Sequence, residues 1–162
     1  MSLKMICALG LVAATAAAAA AAPSGASKQV PSHCLPGEKD VLSCQLKKSP
    51  NVISVCLAGE VLYFRLGKPG RVELSYPGSR LPAVKAFEYV QQLYPGGQNV
   101  SLSFKHEGAG YTVDASCDDP MGGCPPSLSI ERDPKDPKSK LNQSWQCGSG
   151  RGDLGGLSSL PW

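Results

Sequence analysis

Only two histidines serve the whole 162-residue chain, and aromatic residues make up 6% of it. That poverty narrows the acid–base chemistry the chain can carry, because histidine is the side chain that most readily exchanges a proton near neutral pH. Charge of one sign is also missing: 16 basic and 13 acidic residues give a formal net charge of +3. The basic residues are scattered apart from Lys135 to Lys140, and Asp136 interrupts that stretch. A nucleic-acid surface is therefore not expected. There is no Cys-x-x-Cys pair, which argues against a zinc knuckle or a thioredoxin-like centre. No Gly-x-Ser-x-Gly elbow marks a hydrolase nucleophile. No calcium-loop order of aspartates is found, and Asp114, Asp118 and Asp119 read as a solvated acidic loop. No cofactor and no metal ion are expected.

What is present begins with a targeting segment. Lys4 supplies a positive start, Met5 to Val12 a short apolar core, and the alanine run ending at Ala22 a series of small-residue cleavage sites. This is the layout of a secretory signal peptide. A membrane anchor needs about 20 strongly apolar residues, and alanine is too weakly hydrophobic to complete one. Residues 1–22 are thus expected to be removed. Pro23 fits poorly as a first mature residue, so the cut is placed after Ala20, Ala21 or Ala26. The expected location is periplasmic or secreted, with no stable membrane insertion after cleavage.

Export changes the meaning of the cysteines. Seven occur in all, and Cys7 leaves with the signal. The remaining six, Cys34, Cys44, Cys56, Cys117, Cys124 and Cys147, form an even set in an oxidising compartment and read as a disulfide framework. The short loop from Cys117 to Cys124 carries Pro120, Gly122 and Gly123 and can close on itself. Cys147 then pairs with Cys34, Cys44 or Cys56.

Residues 23–33 are small and polar without a period, and are expected to be a flexible leader. From Val41 the pattern alternates with period two, the mark of half-buried strands. Leu42, Cys44 and Leu46 share one side. Ile53, Val55 and Leu57 form a second set, and the run from Val61 to Leu66 is rich in β-formers. A turn at Lys68-Pro69-Gly70 leads to Val72, Leu74 and Tyr76. These four segments predict an antiparallel meander. Residues 83–94 read equally as helix or strand. Two further alternating strands run through Val100-Leu102-Phe104 and Tyr111-Val113, and shorter ones lie near Leu128 and before Cys147. One mostly-β domain is expected over residues 34–147: a small antiparallel β-sandwich, barrel or curved sheet stapled by disulfides. Residues 148–162 are Gly/Ser-rich and expected to be a flexible tail.

The segments Leu42-Ser43-Cys44, Ile53-Ser54-Val55-Cys56 and Phe64 to Pro77 resemble a family of exported, periplasmic proteobacterial proteins without an assigned activity. The last segment reads Phe-Arg-x-Gly-Lys-Pro-Gly-x-x-Glu-Leu-x-Tyr-Pro. Phe87, Tyr89, Gly96-Gly97, Phe104 and Tyr111 extend the likeness over roughly residues 40 to 115. The resemblance implies a strand near Phe87 and an exported location, but no mechanism. A looser similarity to periplasmic lysozyme inhibitors rests on compact, disulfide-containing β architecture alone.

His33 beside Cys34 could make a Cys–His pair, but an oxidised cysteine is no nucleophile. His106 sits in a hairpin loop. The tripeptide Arg151-Gly152-Asp153 and the acceptor patterns at Asn99 and Asn142 are short enough to arise by chance. A binding role remains. Tyr63 and Arg65 share one face of a central strand, Arg71 and Glu73 one face of the next, and Tyr and Arg are favoured in interfaces. The expected function is a non-enzymatic exported binding protein, an inhibitor or immunity protein acting on a cell-wall hydrolase or toxin. The alternatives are a secreted hydrolase with a dispersed site and a structural envelope protein. The partner class is an exported protein, and the oligomeric state is open. Intact-mass analysis after non-reducing alkylation should find no free thiol in the mature chain. Two or more modified thiols would refute the framework.

Overall fold

The computed structural model describes residues 30–115 and 125–162. The expected signal peptide, most of the expected leader, and Cys117 and Cys124 with their expected bridge lie outside the described residues. Nine strands form one continuous antiparallel sheet that does not close into a barrel. Of the three architectures expected, the closed barrel is not the one found.

The first half is the predicted meander: β1 (Lys39–Leu46), β2 (Val52–Ala58), β3 (Val61–Lys68) and β4 (Arg71–Tyr76). Gly70 takes φ 77°, as the turn before β4 requires. A four-residue helix, α1 (Ala83–Ala86), then buries Ala83 and Ala86 and leads into β5 (Glu88–Tyr94). The ambiguous segment 83–94 is thus one helical turn followed by a strand. β5 continues through β6 (Gly97–His106), β7 (Ala109–Asp114) and β8 (Ser127–Glu131) as a second meander.

β9 (Gln143–Gly152) joins the two halves. Gln143 to Gln146 pair with β8, whereas Cys147 to Gly152 pair with β1. The strand changes partner between Gln146 and Cys147, and β1 has a register shift opposite that point. The spatial order is therefore β4-β3-β2-β1-β9-β8-β7-β6-β5. The sheet folds over at β9, so that the inward sides of the two meanders share one core. All three phenylalanines meet there. Phe104 on β6 lies 5.0 Å from Phe64 on β3, 5.4 Å from Phe87 and 4.9 Å from Tyr111, measured between ring centroids. Tyr76 from β4 stacks on Phe104 at 4.3 Å.

Residues 148–162 correct the expected flexible tail. Their first part is β-strand, and a 3₁₀ helix, Leu154–Ser159, follows. Asp153 caps that helix by accepting from the Gly155 N–H at 2.9 Å. Leu154 and Leu157 are buried and pack toward β1 and β6, between the half-sheets. Trp162 donates from Nε1 to the Leu157 carbonyl at 2.7 Å and stacks on Tyr89. The glycines that make this stretch read as a loop are there for close approach. Gly152 has φ 91°, and a Cβ at that position would run into the Val41 carbonyl.

Cys44 on β1 is bonded to Cys147 on β9, which resolves the three-way choice for Cys147. Cys34 is bonded to Cys56 on β2. Because Phe104 sits at the centre of the shared ring cluster, Phe104→Ala should remove about 3–5 kcal/mol of unfolding free energy. Denaturant unfolding would show it, and a loss under about 1 kcal/mol would mean the rings do not hold the halves together.

Candidate functional site

The folded sheet has two outward faces, one on each half. The first is the outer side of β1–β3, which carries Ser43, Ser54, Tyr63 and Arg65. Ser43 and Ser54 are fully buried there, and Arg65 is only 6% exposed. The cover is the chain itself: residues 30–38 lie across this face. Cys34 is tied to Cys56 with Cα atoms 5.4 Å apart. The His33 N–H donates to Ser54 Oγ at 3.0 Å, and His33 Nε2 lies 3.2 Å from the Gly67 carbonyl. Ser43 Oγ bonds Ser32, Asp40 and Ser54 within 3.0 Å. The described end of the leader, residues 30–33, is therefore laid onto the sheet, with His33 buried.

The centre of this cover is an ion pair. Arg65 reaches both oxygens of Glu38, Nη1 to Oε2 at 2.5 Å and Nη2 to Oε1 at 2.8 Å. It also donates to the His33 carbonyl at 3.2 Å, and its guanidinium carbon sits 5.0 Å from the Tyr63 ring centroid. Glu38 Oε2 accepts the Leu35 N–H at 2.7 Å as well. A bidentate Arg–carboxylate pair of this kind is among the stronger polar contacts. Hydrogen bonding from Arg65 is the main reason the Glu38 carboxyl is held below its ordinary value of 4.5, against an opposing push from burial.

The four residues expected to form a partner face thus have unlike places. Arg65 is buried and engaged within the chain. Tyr63 is half-buried beside it. Arg71 and Glu73 on β4 are exposed. The structure does not present them as one open surface. Glu38 was missed because nothing in the sequence around it points to Arg65, 27 residues away, and His33, weighed only as a partner for Cys34, proves to be bonded to Ser54 and Gly67.

Cys34, Cys56 and Glu38 bring three ligand-type atoms within 4.8 Å of one another. The two sulfurs are bonded to each other, however, and both carboxylate oxygens are engaged by Arg65 and Leu35. The other motifs resolve into structural parts. Arg151 pairs with Asp40, with Nε–Oδ2 at 2.9 Å, Gly152 makes the close approach to Val41, and Asp153 caps the 3₁₀ helix. Asn142 organises the loop before β9, accepting from the Arg132 and Asp133 N–H groups at 2.9 Å. His106 lies on the hairpin between β6 and β7, 3.7 Å from Glu107 and edge-on to Tyr76.

The second outward face belongs to β5–β9. Register places Glu88, Ser103, Thr112, Ser129 and Ser144 in one row across five strands. Adjacent hydroxyls bond across the row: Ser103 to Thr112 at 3.1 Å and Ser129 to Ser144 at 3.3 Å. Beside it is a cleft of about 370 Å³ whose lining includes Lys85, Glu88, Ser103, Lys105, Thr112 and Glu131. Gly110 lies between Lys105 and Glu131 in the register, so the middle strand contributes no side chain there. The result is a hollow of mixed lining, with Phe87, Phe104 and Tyr111 also bordering it, rimmed by charges of both signs. No described segment is bonded across it as residues 30–38 are across the first face.

Comparison of the chain with protein-family models, curated proteins and solved structures finds no match. No helix among the described residues is long and apolar enough to cross a membrane.

Replacing Glu38 by Gln should leave the buried Arg65 charge uncompensated and cost about 3–5 kcal/mol in denaturant unfolding. The pH dependence follows from the lowered carboxyl. As pH falls, the unfolded chain takes up the proton first, so the pair's contribution is full above pH 4.5 and disappears through the lower folded value. The stability difference between wild type and Glu38→Gln should therefore shrink on acidification below that point. A difference that stays constant would show that the pair is not its source.

Proposed function

We propose that the chain is an exported, non-enzymatic binding protein that engages an exported protein partner through the outer face of β5–β9. The class of role is that of an inhibitor or immunity protein acting on a cell-wall hydrolase or toxin. The observation that carries this reading is the asymmetry of the two faces. One is covered by the chain's own N-terminal segment and holds its charge in an internal pair, while the other offers an open hydroxyl row and a cleft of mixed charge. Interfaces of transient complexes are polar at their rims and need shape as much as apolar area, which such a hollow supplies.

Export is part of the proposal. It is supported by the signal-like N-terminus and by two disulfides, which form and persist in oxidising compartments. Membership of the exported proteobacterial family that the segment around residues 40 to 115 resembles belongs to the same reading. The placement of the two histidines favours binding over hydrolysis: His33 is buried against the Gly67 carbonyl, and His106 is packed on Tyr76.

The test is affinity capture from periplasmic extract with the mature oxidised chain and with a Lys105→Glu/Glu131→Lys double variant. A stoichiometric hydrolase or toxin should be retained by wild type, and its activity should fall as the chain is titrated in. The double variant should bind it at least about tenfold more weakly, or ~1.4 kcal/mol. Failure of the wild type to retain any envelope protein, together with turnover of a model substrate lost in His106→Ala, would sink the proposal.

A further inference from the structure

Residues 30–38 lie over the outer side of β1–β3 without an apolar hold on it. None of them belongs to the shared core, Leu35 is 58% exposed, and His33 alone among them is buried. The hold is polar and covalent instead: the hydrogen bonds of Ser32 and His33, the pair between Glu38 and Arg65, and the disulfide from Cys34 to Cys56. Each neutral hydrogen bond contributes little net, because water offers the same groups a partner. The disulfide is therefore what fixes the segment in place. The chain also has a point at which to swing. The Glu38 N–H donates to the Leu35 carbonyl at 3.0 Å, and Gly37 within that turn has φ 88°. The two described disulfides differ in access. Cys44 and Cys147 are 0% and 2% exposed within the core, and Cys56 is 0% exposed, but Cys34 is half-buried and followed by three exposed residues. Thiol–disulfide exchange requires that a thiolate reach one of the two sulfurs. Of the four described cysteines, Cys34 offers that approach.

We propose that the bond between Cys34 and Cys56 is a clasp opened by a dithiol, which frees residues 30–34 from the sheet while the Cys44–Cys147 bond and the fold stay intact. A thiolate of the dithiol attacks Cys34 Sγ, forms a mixed disulfide there, and expels Cys56 as a thiolate that takes up a proton. The second thiolate of the dithiol then displaces the Cys34 sulfur, which takes up the other proton. Two electrons pass to the protein, the dithiol becomes a disulfide, and two cysteine thiols remain. Glu38 adjoins β1 on the sheet side of the turn, so its pair with Arg65 is kept and the buried guanidinium is not left without a counter-charge. The contacts given up are those of Ser32 with Ser43 Oγ, of the His33 N–H with Ser54 Oγ, and of His33 Nε2 with the Gly67 carbonyl. Ser43 still has Asp40 and Ser54 as partners. The ground uncovered is two hydroxyls, a main-chain carbonyl and the Cys56 thiol, so water replaces the segment without entering the core. Re-oxidation closes the clasp, because the Glu38–Arg65 pair keeps Cys34 close to Cys56. This device is independent of the partner face proposed on β5–β9.

Differential alkylation, read peptide by peptide as the oxidised chain is titrated with dithiothreitol in native buffer, tests the order of opening. Cys34 and Cys56 should become labelled at a dithiol concentration at least about tenfold below that needed for Cys44 and Cys147. Amide hydrogen exchange on the partly reduced chain tests the release. The His33 amide should exchange at least about tenfold faster than in the oxidised chain, while the amides of the β2–β3 ladder keep their protection. Removal of the dithiol and re-oxidation should restore the slow His33 amide. A Cys34→Ser/Cys56→Ser variant should show the fast His33 amide without any reductant, and the wild-type measurement decides alone where that variant does not fold. Opening of Cys44–Cys147 first, or of both bonds together, overturns the proposal. A His33 amide that stays protected once Cys34–Cys56 is reduced overturns it as well. Loss of ladder protection at the same step also overturns it, because the bond would then be a staple of the whole fold.

Discussion

β9 hydrogen-bonds along its first four residues to β8 and along the rest to β1, and almost every other feature depends on that division. Two independent four-stranded meanders would each have one apolar side and nothing to bury it against. A shared strand makes them one sheet, and the bend where it changes partner turns their apolar sides toward each other. The disulfide from Cys44 to Cys147 fixes the strand at the residue where the change occurs. The ring cluster around Phe104 and the 3₁₀ helix carrying Leu154 and Leu157 then fill the space the bend creates.

The same bend leaves two outer surfaces with opposite fates. On the β1–β3 side, serines, an arginine and a histidine would make a poor solvent-excluded layer on their own. They become one because residues 30–38 supply matching partners: the Glu38 carboxylate for Arg65 and the Ser32 hydroxyl for Ser43. Every buried side-chain polar atom among the described residues finds a partner, as a covered polar layer must. On the β5–β9 side Ser103 bonds Thr112 and Ser129 bonds Ser144 along the row, and no described segment is laid over them as residues 30–38 are over the other face.

Much of the fold was legible in the sequence because the first meander obeys the simplest rule of sheets. Leu42, Cys44 and Leu46, then Ile53 and Val55, then Val72, Leu74 and Tyr76 alternate, and a Pro-Gly turn separates the last two strands. The tail was misread for a physical reason. Gly148, Gly150 and Gly152 carry no side chain with which to display a period, and glycine there answers to close backbone approach, seen most clearly at Gly152. The outer-face layer was hidden because Arg65 looks like an exposed strand residue until Glu38 is placed over it, and only tertiary structure brings them together. The hydroxyl row was equally invisible, since Ser103, Thr112, Ser129 and Ser144 become a row only when the register is known.

The bond between Cys44 and Cys147 spans 103 positions and encloses β2 through β8 in a single covalent ring. A protease that cut the exposed, proline-rich stretch between Arg132 and Lys140 would open this ring without dividing the molecule. Both new ends would stay tethered through the sulfurs, next to the strand that holds the halves together. The chain thus has a built-in tolerance: one nick changes its connectivity but leaves its two parts joined until a reductant arrives.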